Sequence, residues 1–158
     1  MSFDNVEKIE LQTLIDHIRN VYEKLPFNNV LGLNIETLSE NEVIIGFKMR
    51  EELIGNYVYG ILHGGVVSSV LDVTGGLTAT IGMLKNMKNL TAGEIEKRVS
   101  RVGTIDLRID YLRPGKGDYF RAAGSLMRLG RKVAVTRMEL YNDQKKLIGV
   151  GTGTYIVG

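Results

Sequence analysis

The chain has no cysteine and only two histidines, His17 and His63. These shortages exclude disulfides, Cys-ligated zinc, iron–sulfur clusters and a thiol nucleophile, and they argue against a histidine-rich metal site. An excess of one charge is also missing. Against 18 acidic side chains stand 20 basic ones, a net +2, so nothing electrostatic points to nucleic acid. No uninterrupted apolar run reaches the roughly 18 residues of a membrane span. The N-terminus carries acids where a signal peptide would carry an apolar stretch. No membrane span and a cytoplasmic location are therefore expected. What is present is ordinary: 158 residues, 44% apolar and 24% charged. That length suits a single domain over residues 1–158, able to bury roughly two-thirds of its unfolded surface. No linker, internal repeat or low-complexity segment breaks it.

Periodicity orders the chain. Val6, Ile9, Leu14, Ile18, Val21, Tyr22 and Leu25 recur at helical spacing, which predicts a helix over residues 4–25, capped by Asp4 and closed by Pro26. His17 reads there as a surface residue. Strands are expected at 30–38 and 41–49 around a Ser39-Glu40-Asn41 turn, followed by a loop with Gly55, Asn56 and Gly60. Thr91-x-x-Glu94 matches a capping box and suggests a short exposed helix over 91–101. Alternating strands follow at 104–112, 118–129, 132–142 and 146–157. In the first, Ile105, Leu107, Ile109 and Tyr111 oppose Thr104, Asp106, Arg108 and Asp110. Gly149, Gly151 and Gly153 alternate in the last strand, but no helix follows, so they are not a nucleotide-binding fingerprint.

Residues 64–84 are the informative segment. At helical pitch, Val66, Val67, Val70, Thr74, Leu77, Ile81 and Leu84 share an apolar face. Gly64, Gly65, Ser68, Asp72, Gly75, Gly76 and Ala79 share a face of small residues. Glycine inside a helix costs about 1 kcal/mol relative to alanine, so close approach of a backbone or ligand should compensate. Asp72 is the one formally charged residue between Leu53 and Leu84. A helix this apolar must be covered, and a curved antiparallel sheet wrapped around it is the simplest packing. The fold class is α+β, with an extra N-terminal helix.

His63-Gly64-Gly65 at the start of that helix offers unpaired N–H groups and a partial positive charge, the equipment of an oxyanion hole. A carboxylate at Asp72 can serve as general base or nucleophile. No G-x-S-x-G elbow is present. The chemistry suggested is acyl transfer to water. A structural reading of Asp72, as a cap or bridge, stands beside it.

Asn56-x-x-x-Gly60-x-x-His63-Gly64-Gly65, with Asp72 nine residues after His63, resembles the hotdog-fold thioesterases of the PaaI-like type. The likeness continues through the stretch from Gly103 to Pro114 and through Gly130-Arg131-Lys132-Val133-Ala134, and covers nearly all of residues 26–157. It is nearest to the YigI branch, associated with medium- and long-chain acyl-CoA. The resemblance implies a hotdog fold and a homodimer or dimer of dimers with active sites between subunits. It also implies hydrolysis of acyl-CoA to fatty acid and CoA without a cofactor or metal. Asp72 would supply the carboxylate and the Gly64 N–H would polarise the thioester carbonyl. His63 and Asn56 would position substrate or water, and Thr104 would orient water. Gly65 and Ser68 would line the substrate site. Arg113, Gly130, Arg131 and Lys132 would bind CoA, with Lys116 and Arg128 nearby. Two alternatives remain open: a non-catalytic acyl-CoA sensor, and a hotdog acyl-thioester dehydratase.

Overall fold

A computed structural model describes residues 10–87 and 91–158. The elements run α1 (Leu11–Lys24), α2 (Pro26–Leu31), β1 (Asn34–Leu38), β2 (Val43–Lys48), β3 (Ile54–Asn56), β4 (Ile61–Leu62), α3 (Gly64–Lys85), α4 (Ala92–Val99), β5 (Gly103–Tyr111), β6 (Tyr119–Leu129), β7 (Val133–Asn142) and β8 (Leu147–Ile156). Six strands form one antiparallel sheet in the order β1-β2-β6-β7-β8-β5, and β3 pairs with β4 in a separate hairpin. The sheet packs on α3, and α1 packs on α3 as well. This is the α+β hotdog arrangement that the sequence implies.

The apolar face of α3 organises the core. All seven residues assigned to it are buried. Leu77, Ile81 and Leu84 meet Ile15, Ile18 and Ile45, while Val66, Val70 and Leu71 meet Phe47, Phe120 and Met138. The Phe47 and Phe120 rings stack with centroids 5.3 Å apart, a geometry that adds about 1 kcal/mol beyond the area buried. Thr74, Thr78 and Thr80 each donate a 2.8 Å hydrogen bond to the carbonyl four residues back, so their hydroxyls are satisfied within the helix. By length and composition alone α3 could cross a bilayer, yet most of it is buried inside the protein.

Local chemistry corrects several boundaries. Asp4, Val6 and Ile9 lie outside the described residues. The described helix begins at Leu11, and the side chain of its N-cap residue, Glu10, makes no capping bond. Pro26 ends α1 but also opens α2 at the first helical position, where a missing N–H is harmless. The strand expected from residue 30 therefore starts at Asn34, after α2 closes on Gly32 in the left-handed region, φ 67°. The expected loop around Asn56 contains the short β3–β4 hairpin.

The small face of α3 is less bare than its composition implies. Gly75 and Ala79 are buried. A Cβ on Gly75 would collide with the Tyr155 hydroxyl and the Met138 sulfur, so this glycine admits the sheet. Gly153 does the same from the strand side, because a Cβ there would strike the Tyr155 ring. Gly64, Ser68, Asp72 and Gly76 remain only half-buried.

Strand β5 holds the correction with most consequence for the site. Simple alternation places Thr104 opposite Leu107 and Ile109. The register instead pairs Thr104 with Tyr155 and Asp106 with Thr154, so Ile105 is an extra residue bulged out of the ladder and 56% exposed. A one-residue insertion reverses the facing of everything on one side of it. Thr104, still exposed, thus lies on the α3 side of the sheet beside Tyr155.

Candidate active site

At the start of α3, His63 is the N-cap, with φ −63° and ψ 137°. Its Nδ1 accepts the Gly65 N–H at 2.8 Å. An accepting Nδ1 carries no proton, so the neutral ring holds its hydrogen on Nε2. The cap consumes the Gly65 N–H and leaves the Gly64 N–H without an acceptor among the described residues. Tyr111 donates its hydroxyl to the Gly64 carbonyl at 3.1 Å and fixes this turn from β5. Ser68 and Ser69 donate to the Gly65 carbonyl at 3.1 and 2.7 Å. An unpaired N–H at a helix N-terminus is suited to a carbonyl oxygen that gains negative charge.

Asp72 lies two turns further along α3. Its Oδ1 accepts from Thr104 Oγ1 at 2.8 Å. The Tyr155 hydroxyl also donates to Asp72, 3.1 Å from the main-chain oxygen and 3.2 Å from Oδ1. Oδ2 has no partner among the described residues. One carboxylate oxygen is therefore held and the other is free to react. Burial pushes the Tyr155 phenol well above its ordinary ionisation range, and the Asp72 charge and hydrogen bond add to the shift. Tyr155 stays protonated and donates throughout the neutral range. Tyr22 is raised mainly by burial, with a smaller push from Asp72, and its hydroxyl lies 3.5 Å from Thr80 Oγ1.

The candidate residues divide into two groups. Asp72 lies eight helical steps beyond Gly64, about 12 Å at helical rise, so a single carbonyl cannot touch both in one chain. Asn56 sits beside the Gly64 end in the β3–β4 hairpin. Its Oδ1 accepts from Val58 and Tyr59 N–H at 3.1 and 3.4 Å. That oxygen shapes the turn and leaves the side-chain amide hydrogens for other work. Arg113 also lies at this end, where it donates to the Leu147 carbonyl at 2.9 Å. Gly130, Arg131 and Lys132 form the exposed turn between β6 and β7. Because Ala134 pairs with Tyr155, this turn is at the Asp72 end. The length of β7, roughly 25 Å or more, separates it from Arg113. The expected CoA-binding residues thus do not converge within one chain.

Tyr155 escaped sequence reading as a site residue. Its signal was indirect: Gly75 in a helix and Gly153 in a strand, two vacancies that one large side chain fills.

Fold and site together define a hotdog hydrolase scaffold, and the chain belongs to the Thioesterase superfamily, whose family model matches residues 59–148. It is 45% identical over 134 residues to the medium/long-chain acyl-CoA thioesterase YigI of Escherichia coli strain K12, covering 85% of this chain and 86% of that one. The same identity and coverage hold for YigI of Salmonella typhimurium. A crystal structure from Shewanella oneidensis, described as related to the thioesterase superfamily, superposes with a TM-score of 0.91 at 45% identity, covering 94% of this chain and 97% of that chain.

Proposed function

We propose that the chain hydrolyses medium- to long-chain fatty acyl-CoA to free fatty acid and CoA, with Asp72 as the catalytic carboxylate. The observation that carries this reading is the asymmetric grip on Asp72: Thr104 and Tyr155 hold Oδ1, and Oδ2 of this half-buried residue has no partner among the described residues. As a general base, Oδ2 takes a proton from water as the water oxygen attacks the thioester carbon. The tetrahedral oxyanion rests on the Gly64 N–H. Its collapse breaks the C–S bond, and the CoA sulfur leaves with the proton. As a nucleophile, the same oxygen would attack the thioester carbon and break the C–S bond, giving an anhydride and CoA thiolate, which takes up a proton; water then opens the anhydride to the fatty acid and the Asp72 carboxylate. Heavy-oxygen water separates the two routes, since only the second can carry the label into Asp72 in a single turnover.

The working site contains Gly64 from one copy of the chain and Asp72 from another. Support comes from the 12 Å gap noted above and from β5, which is an edge strand of the sheet and carries exposed Ile105 and Tyr111, with exposed Leu112 just beyond its end. An unpaired apolar edge strand is a natural place for self-association. A two-fold dimer would set the Gly64 and Arg113 end of one copy against the Asp72 and Arg131 end of the other.

The test is thiol release from a panel of acyl-CoA substrates, with oligomer mass measured by light scattering. Wild-type turnover with an assembled dimer supports the reading. A fully active monomer sinks the shared site. Tight acyl-CoA binding without turnover across the panel replaces the hydrolase with a sensor.

A further inference from the structure

Between α1 and α4 lies a groove of about 390 Å³, within the range of roughly 300–1,000 Å³ typical of small-molecule sites. Leu14, Ile18 and Val21 of α1 form one wall, and Ile95 and Val99 of α4 form the other. We propose that this groove receives the fatty chain of the thioester. The proposal rests on the thioesterase reading above and adds the place where chain length is measured.

Three stretches of chain connect residues of the groove wall to the surroundings of Asp72. On α1, Val21 is followed by Tyr22, whose hydroxyl reaches Thr80 of α3 and whose ionisation responds to the Asp72 charge after the larger effect of burial. After α4, Val99 is followed by Val102 and then by Thr104, which bonds Asp72. On α3, Val73 is next to Asp72 and packs in the same apolar cluster as Leu14, Ile18, Ile95 and Val99. Each flanking helix therefore carries a groove residue within one to five positions of a side chain that touches Asp72 or feels its charge. From Val21 back to Thr13, the groove follows about 12 Å of helix. A long apolar groove whose walls pack in the same core cluster as the neighbour of a reactive carboxylate fits a substrate with a uniform apolar tail and its reactive carbon at the tip. Its polar residues, among them His17 and Glu96, are exposed, so they can stay hydrated while methylenes lie between the walls.

The position of a blockage should set which substrates are lost. Val99→Trp, at the Asp72 end, should lower kcat/KM for palmitoyl-CoA by at least about tenfold and leave butyryl-CoA within about twofold. Thr13→Trp, at the far exposed end, should reduce palmitoyl-CoA turnover and spare octanoyl-CoA. If both variants keep the wild-type chain-length profile, the groove is not the acyl site, whatever becomes of the Asp72 assignment. A binding experiment stands apart from turnover. The native chain contains no tryptophan, so the indole of Thr13→Trp is the lone indole and can be excited selectively at wavelengths longer than the tyrosines absorb. Its emission should change on adding a hexadecyl-CoA thioether and stay constant with the butyl thioether. An indole indifferent to both overturns the proposal, even if Val99→Trp has misfolded. So does emission that changes only on deleting residues 1–9 or on raising protein concentration, which would assign the groove to the N-terminal segment or to a second copy.

Discussion

Thr104 and Asp72 are joined by a 2.8 Å hydrogen bond that depends on a residue taking no part in it: Ile105, next to Thr104 in the chain and bulged out of β5, turns the threonine hydroxyl toward the helix. Deleting Ile105 should straighten the strand and rotate Thr104 to the outer face. Thioesterase turnover is expected to fall as far as in Thr104→Ala, by about tenfold or more. Thr104→Ser should retain most activity. A deletion variant that folds and works normally would refute this coupling.

For Asp72→Asn, an amide replaces the carboxylate at nearly the same volume. Turnover should fall by at least about 100-fold while KM changes little. The thermal midpoint should hold or rise, because Thr104 and Tyr155 can still donate to the amide oxygen. Activity retained per folded molecule alongside a lowered midpoint would make Asp72 structural instead.

Tyr155→Phe keeps the ring between Gly75 and Gly153 and removes only the donor to Asp72. We expect a drop in kcat of about tenfold with KM nearly constant, and a stability loss of about 1 kcal/mol. The folded-state pKa of this phenol is raised above its ordinary value of 10.0. Its contribution to stability is thus fully present below pH 10 and declines as pH rises from there toward the folded-state value. Thermal melts from neutral pH to pH 11 should show a steeper alkaline loss in the wild type than in Tyr155→Phe. Parallel curves would count against the hydrogen bond.

Glu36 offers a control far from the chemistry. Its carboxylate accepts from the Tyr119 hydroxyl at 2.5 Å and from Arg121 Nε at 2.6 Å, across Gly46. Partial burial opposes ionisation, but those two hydrogen bonds outweigh it and hold the group below its ordinary range. Its stabilisation is therefore present above the ordinary value of 4.5 and lost as pH falls through the lower folded-state value. Glu36→Gln should lower the thermal midpoint at pH 7, converge with wild type in strong acid, and leave kcat unchanged. A loss of turnover without a change in melting would contradict this division of roles.

Much of the architecture can be read from the chain because it rests on repeated local choices. The apolar stripe of α3, the Thr91–Glu94 capping box and the strand alternation each depend on residues close in sequence, and each appears in the fold. What could not be read depends on single-residue insertions and on distance. Nothing within β5 itself announces that Ile105 will leave the ladder, since Ile suits a strand as well as any residue. The approach of Tyr155 to Asp72 spans 83 residues. Pro26 was legible as a helix breaker, but its second role as a helix opener depended on Leu25 adopting an extended conformation. Asp72 itself was legible for a simpler reason: a charge isolated in an apolar helix requires an explanation.

Two of the seven tyrosines, Tyr155 and Tyr22, feel the charge of Asp72, and the chain has no indole to mask them. The near-ultraviolet absorbance of the unmodified protein is therefore an optical record of this carboxylate. Any event that protonates, acylates or covers Asp72 should register as a tyrosine difference spectrum, without a label.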